Sequence, residues 1–332
     1  MPFWTDAKVL VTGAHGFTGS HLCRELVRQK ATVTAFIKNG GILSNLGDLT
    51  RHITIVPGDI TDITSLLAAM EGIDYVFNPA AIVPVLEARQ APQACLQVNT
   101  LGAHNVGYAA MKSGVKRMLH ISTCHVYGNQ LPENLPIKET AVPKPVDVYS
   151  ASKYAAEICL RPLVDDGFHI TFTRAFAMYG PGQREQYFIP RVISQLLKKI
   201  TPVFGNSYPT RDYCYIEDTV RGYLLALQKG APGEIYHFSS QREIAISDIY
   251  RLIAKLMDTV VEPVWNATPR RNEISRQVGD SSKARRELGW TPEVSLEKGL
   301  QLTIAWWRDH PEMWRTAEED SLAWKRLHRQ SG

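Results

Sequence analysis

Apolar and polar positions in the first half of this chain change period repeatedly. Residues 9–11 are a short apolar run that breaks at Thr12-Gly13; beyond it Phe17, Leu22, Cys23, Leu26 and Val27 recur at helical spacing. That switch predicts a buried strand, a glycine turn and a helix. The alternation then continues. Thr32–Ile37 and 53–56 read as strands, 62–71 as a helix and Tyr75–Asn78 as a strand. A long helix is expected at 92–113, a strand at 117–122, a helix at 149–163 and a strand at 169–175. Such β-α repetition predicts an α/β fold of the Rossmann type, a doubly wound parallel sheet. From Met178 prolines punctuate shorter elements, which predicts a smaller C-terminal lobe. A strand at 234–238 is expected to return to the main sheet. The expected division is therefore 1–177 with about 214–240 as the nucleotide domain, and 178–213 with 241–332 as the substrate lobe.

Composition narrows the picture without redirecting it. The 332 residues are 44% hydrophobic and 21% charged, with a net charge of +4. This is the profile of a globular protein, and no basic block or aromatic-basic stripe suggests nucleic acid. No run reaches about 18 apolar residues, so no membrane span is expected. The start, MPFWTDAKVL, has no signal-peptide pattern, and the five cysteines are scattered without a C-x-x-C pair. These point to a cytoplasmic chain with free thiols and no metal site.

Candidate chemistry starts at the glycine turn. Gly13, Gly16 and Gly19 stand three apart, permitting a tight bend, close approach to a pyrophosphate and close helix packing. The following helix would aim free N–H groups at the phosphates. Further on, Tyr149 and Lys153 in YSASK are four apart on the expected helix and so share a face. An ammonium beside a phenol favours the phenolate, which makes the pair a candidate for moving a hydroxyl proton. Thr123, directly after the 117–122 strand, is a candidate to hold the same hydroxyl.

TGAHGFTG (12–19), GDITD (58–62), ISTCHVYG (121–128) and YSASK (149–153) together resemble the extended short-chain dehydrogenase/reductase family, in its nucleotide-sugar epimerase/dehydratase branch. RAFAMYGPGQ from Arg174, PTRDYCYIEDTVRG from Pro209 and DSSKARRELGWTPEVSLEKGL from Asp280 extend the resemblance over nearly the whole chain. It implies a catalytic set of Thr123, Tyr149 and Lys153, with Lys153 also holding the nicotinamide ribose. It further implies Phe17, Thr18 and Ala80 beside the cofactor, Asp59 and Ile60 at the adenine, and Asn99 orienting the site. Arg211 and Arg276 would grip the diphosphate of a nucleotide-sugar substrate, since a guanidinium fork suits phosphate oxygens. The helices at 92–113 and 149–163 resemble those through which this family forms a homodimer.

Two choices remain open. Residues 26–47 contain no Asp or Glu to meet a ribose 2′-hydroxyl, whereas Lys38 and Asn39 follow the second strand. This tilts the cofactor, NADP or NAD, toward NADP, tightly bound and recycled within each turnover. The reaction depends on the residues after Thr123. The related 4,6-dehydratases usually carry a glutamate two positions beyond it, and this chain has Cys124 and His125, a thiol and an imidazole able to act as auxiliary acid and base. Several segments look most like UDP-N-acetylglucosamine 4,6-dehydratases. A dehydratase is therefore the leading expectation, a 4-epimerase the alternative, and a non-catalytic dinucleotide sensor the remote one.

Overall fold

The structure is a computed structural model describing residues 2–83, 85–266 and 273–313; residues 267–272 and 314–332 of the expected second lobe lie outside the described residues. The first six strands are β1 (Lys8–Thr12), β2 (Thr32–Ile37), β3 (Thr54–Pro57), β4 (Tyr75–Asn78), β5 (Arg117–Thr123) and β6 (Ile170–Ala175). Short strands follow: β7 (Ala177–Tyr179), β8 (Val203–Phe204), β9 (Thr210–Tyr215), β10 (Ile235–Tyr236), β11 (Glu243–Ala245) and β12 (Val264–Trp265). The helices are α1 (Phe17–Arg28), α2 (Ile63–Ala69), α3 (Val85–Gln90), α4 (Pro92–Leu96), α5 (Ala103–Lys112) and α6 (Val148–Asp165). They continue with α7 (Phe188–Leu197), α8 (Ile216–Lys229), α9 (Ile246–Leu256), α10 (Ser282–Leu288) and α11 (Leu296–Asp309).

A seven-stranded sheet runs in the order β10-β6-β5-β4-β1-β2-β3, and every pairing is parallel. Helices α1 and α8 cover one face, and α2, α5 and α6 the other. Successive strand residues divide between the two cores. Val9, Val11, Val33 and Phe77 join the first, and Leu10, Phe36, Val76 and Met118 the second. Coverage on both faces explains why these strands read as almost unbroken apolar runs. The expected returning strand is present as β10, which pairs with β6 through Ile235 and Tyr236. Beyond β6 the chain builds a three-stranded sheet, β11-β9-β7, and a two-stranded one, β12-β8.

Two local features set up the site. The expected single helix over 92–113 is interrupted: between α4 and α5, Gln97–Gly102 winds as a π-type turn. The wider turn accommodates one extra residue and swings Asn99 into the interior, where it is fully buried. Helix α6 begins with a capping box in which Asp147 accepts from Ser150 N at 2.7 Å and the Ser150 hydroxyl reaches back to Asp147 N. That cap fixes where Tyr149 and Lys153 emerge. Lower on the same helix, Glu157 forms a buried ion pair with Arg174 of β6, at 2.6 Å. Arg174 Nη1 also donates to the Tyr127 hydroxyl, 2.8 Å away, so the charges are hydrogen-bonded as well as paired.

Candidate active site

Strand order reverses between β1 and β4, and in open α/β sheets such a reversal leaves a crevice beyond the carboxyl ends. The glycine turn sits there. Gly13 has φ +55°, and a Cβ on it would lie 3.0 Å from Ala80 Cα. A Cβ on Gly19 would fall 2.4 Å from the Gly13 carbonyl oxygen. Helix α1 then starts at Phe17 and Thr18 without a side-chain cap, leaving its first N–H groups for an anion. A cradle with no room for side chains, ending in an uncapped helix, fits the pyrophosphate of a dinucleotide. Thr12 and Asn78 brace its floor: the Thr12 hydroxyl donates to Asn78 Oδ1 at 2.6 Å and accepts from Ala80 N at 3.3 Å.

The other cofactor candidates are more scattered. Lys38 and Asn39 are exposed just past β2. Asp59, half-buried past β3, accepts from Thr61 N and Thr61 Oγ1, each at 2.8 Å. Ile60 is buried in the second core and presses on Gly102, so packing occupies much of its side chain. Asn99 is buried and its amide is bonded within the protein. Its Oδ1 accepts from Ile82 N (2.7 Å), and its Nδ2 donates to Ile82 O (3.0 Å) and Ser152 Oγ (2.9 Å). With its amide so engaged, Asn99 holds the loop after Ala80 in place.

Across the crevice, Thr123 ends β5 while Tyr149 and Lys153 come from α6, all three buried. Burial dominates their ionisation. The Tyr149 phenol is pushed above its ordinary value, with the Thr123 hydroxyl working against the rise. Desolvating a phenolate outweighs that hydrogen bond, and the neighbouring Tyr187, Cys124 and Asp147 add to the rise. Lys153 is itself pulled down to about 8 by burial, with Glu157 opposing the shift. Its ammonium makes no hydrogen bond or ion pair among the described residues.

His125 and Cys124 separate in role although they are neighbours. The His125 ring meets the Tyr149 ring edge-on at a centroid distance of 6.0 Å. Its Nδ1 is buried with no hydrogen-bond partner. Burial and then the Arg211 guanidinium pull its pKa down to about 4. Cys124 instead packs with Val126, Tyr127, Ile137 and Phe176, and burial pushes its thiol up. Within the Cys124–Tyr127 turn, Cys124 thus packs among apolar side chains while His125 lies against the Tyr149 ring.

Arg211, on β9, donates Nη1 to the carbonyls of Thr210 (2.7 Å) and Ile274 (2.9 Å). Arg276 is half-exposed and bidentate to Glu243 at 2.7 and 2.6 Å, so its charge is already met. Sequence reading missed Tyr187 and Glu87. Tyr187 acts electrostatically on Tyr149, and Glu87 on Tyr187. Neither stands in a motif tied to the tyrosine.

Comparisons with known proteins bear on the family. The family model described as the NAD dependent epimerase/dehydratase family matches residues 9–238. The dTDP-glucose 4,6-dehydratase of Mycobacterium tuberculosis is 31% identical over 324 residues, covering 95% of this chain and 98% of that protein. Among solved structures, a dTDP-glucose 4,6-dehydratase of Streptomyces venezuelae with NAD bound aligns with TM-score 0.87 at 28% identity, over 93% of this chain and 99% of the other. UDP-glucose 4-epimerase of Thermotoga maritima, solved with UDP-glucose, aligns with TM-score 0.86 at 29% identity, over 92% and 99%.

The buried cation yields a stability prediction. Between pH 8 and about 10 the unfolded chain holds a proton on Lys153 that the folded chain has released, so this group makes stability rise with pH. In nucleotide-free protein, Lys153→Met should therefore resist urea better than the parent at pH 7, and the advantage should shrink by pH 9.5. Equal midpoints at pH 7 would refute the buried-charge cost.

Proposed function

The chain belongs to the NAD dependent epimerase/dehydratase family, and from that premise we propose that it is a nucleotide-sugar dehydratase. The substrate is a nucleoside-diphosphate hexose, oxidised at C4, stripped of water across C5 and C6, and reduced again. One observation carries the choice of reaction: a neutral imidazole with an unpartnered buried nitrogen beside the Tyr149 ring.

A bound nicotinamide supplies a hydride acceptor that can later give the hydride back. Tyr149 takes the proton of the C4 hydroxyl, with Thr123 hydrogen-bonded to the same oxygen and Lys153 balancing the phenolate. Once C4 is a carbonyl, the C5 hydrogen is acidic and His125 removes it. The imidazolium returns that proton to the departing C6 hydroxyl, which leaves as water. One histidine thus does the work expected of the Cys124–His125 pair. Arg211 acts electrostatically on His125 and so bears on this region. It is the stronger candidate for the sugar-nucleotide diphosphate. Arg276 joins only by exchanging Glu243 for phosphate. The segment 178–213 and the described residues from 241 onward serve as the lobe that receives the sugar nucleotide. The absence of an acid at 26–47, with Lys38 beside β2, favours NADP over NAD, held through each turnover.

The similarity to UDP-glucose 4-epimerase supports a second reading, in which C4 is simply re-reduced from the other face. Variants separate the two. Tyr149→Phe should slow either reaction about 10²–10⁴-fold. His125→Ala should abolish water loss while single-turnover absorbance still records nicotinamide reduction. A His125→Ala enzyme with undiminished turnover would remove the dehydratase reading in favour of the epimerase.

Exposed Leu86, Leu96, Leu101, Tyr108 and Ile158 lie on or between α3, α4, α5 and α6. Their exposure supports a homodimer formed through these helices. Light scattering at micromolar concentration should give twice the chain mass, and a monomer mass would contradict this.

A further inference from the structure

Asn129 follows directly on the turn that carries Thr123 and His125. Gly128 N closes that turn on the His125 carbonyl at 3.1 Å, and Lys144 N donates to the Val126 carbonyl at 2.8 Å, so the point where Asn129 leaves it is fixed. Its side chain then reaches a stretch of chain 144 positions away. Nδ2 donates to the Glu273 carbonyl at 2.9 Å, and Oδ1 accepts from Ser275 N at 2.8 Å and from Ser275 Oγ at 3.1 Å. A carbonyl can only accept and a backbone N–H can only donate, so the amide has one orientation here. Bonding one carbonyl and the N–H two residues on is what the backbone of a neighbouring parallel strand does.

The far side of the same stretch is held by β9. Thr210 N donates to the Ser275 carbonyl at 2.8 Å, and Arg211 Nη1 donates to the Ile274 carbonyl at 2.9 Å. Asn206 Nδ2 donates to the Glu273 carboxylate at 2.6 Å. Residues 273–276 form no strand, yet Asn129 holds them from one side and β9 from the other. Both candidate diphosphate arginines depend on this stretch. The Ile274 carbonyl is a partner of the Arg211 fork, and Arg276 directly follows the residue that Asn129 grips.

We propose that Asn129 is a positioning residue that latches residues 273–276 to the turn of Thr123 and His125, and so orders Arg211 and Arg276 for the diphosphate. This rests on the reading of the two arginines as diphosphate contacts and deepens it. A guanidinium fork meets phosphate oxygens in pairs only when its plane is held, and Arg211 is held through the Ile274 carbonyl. Without the amide, the Glu273 carbonyl and Ser275 N would turn to water, and the Ile274 carbonyl between them would lose its fixed place. The cost then falls on phosphate binding, because Asn129 is exposed and its removal leaves the core intact.

Calorimetric titration of the full chain, with its nicotinamide nucleotide bound, against UDP, dTDP, GDP and CDP tests the proposal. For the nucleoside diphosphate that the parent binds best, Asn129→Ala should weaken binding about three- to tenfold. Its thermal midpoint and the nicotinamide nucleotide it retains through purification should match the parent, which a general structural role would not allow. Ser275→Ala, which keeps both backbone bonds to the amide, should stay within about twofold of the parent. Unchanged affinity in Asn129→Ala would overturn the latch, as would a fall in its thermal midpoint or an equal loss in Ser275→Ala. Binding of none of the four by the parent would instead overturn the nucleotide-sugar reading itself, so the two failures are distinguishable.

Discussion

The close approach of Gly13 to Ala80, where a β-carbon would leave only 3.0 Å, ties the glycine turn to the end of β4 at the point where strand order reverses. Much else follows from that contact. Thr12 and Asn78 lock the two strand ends together beneath it. Asn99, turned inward by the π-type turn, pins Ile82 just beyond Ala80 and touches Ser152 of α6. A phosphate cradle on one side of the crevice is thus rigidly linked to the helix that carries Tyr149 and Lys153 on the other. Preorganisation of this kind is what lets a hydride acceptor and a proton acceptor face one sugar carbon.

Around Tyr149 the governing force is desolvation. Burial lifts the phenol, lowers Lys153 to about 8 and keeps His125 neutral. The interior therefore disfavours the charged form of each of these groups. Glu157, one helical turn past Lys153 and paired with Arg174, opposes the lowering of the lysine. Stability is given up here for a site in which small changes of charge have large effects.

Much of the fold could be read from the sequence because its information is periodic. Strands buried on both faces leave apolar runs, and α6 shows its face through Tyr149 and Lys153. The π-type turn could not be read, since QVNTLG has the composition of ordinary helix and only tertiary hydrogen bonds reveal the extra residue. Beyond β6 the chain was legible only as a change of texture, because β7, β8, β10, β11 and β12 have two or three residues each and carry no period. Neighbouring site residues were the hardest case. Cys124 and His125 had equal claims as letters, and only the direction of a single turn sent one into packing and the other toward Tyr149.

Mass spectrometry of the purified protein incubated with UDP-, dTDP-, GDP- and CDP-hexoses tests the central claim most directly. The account predicts that at least one sugar nucleotide loses one water without added nicotinamide nucleotide. A product of unchanged mass that resolves as a new isomer would contradict it, making the chain an epimerase and His125 a bystander.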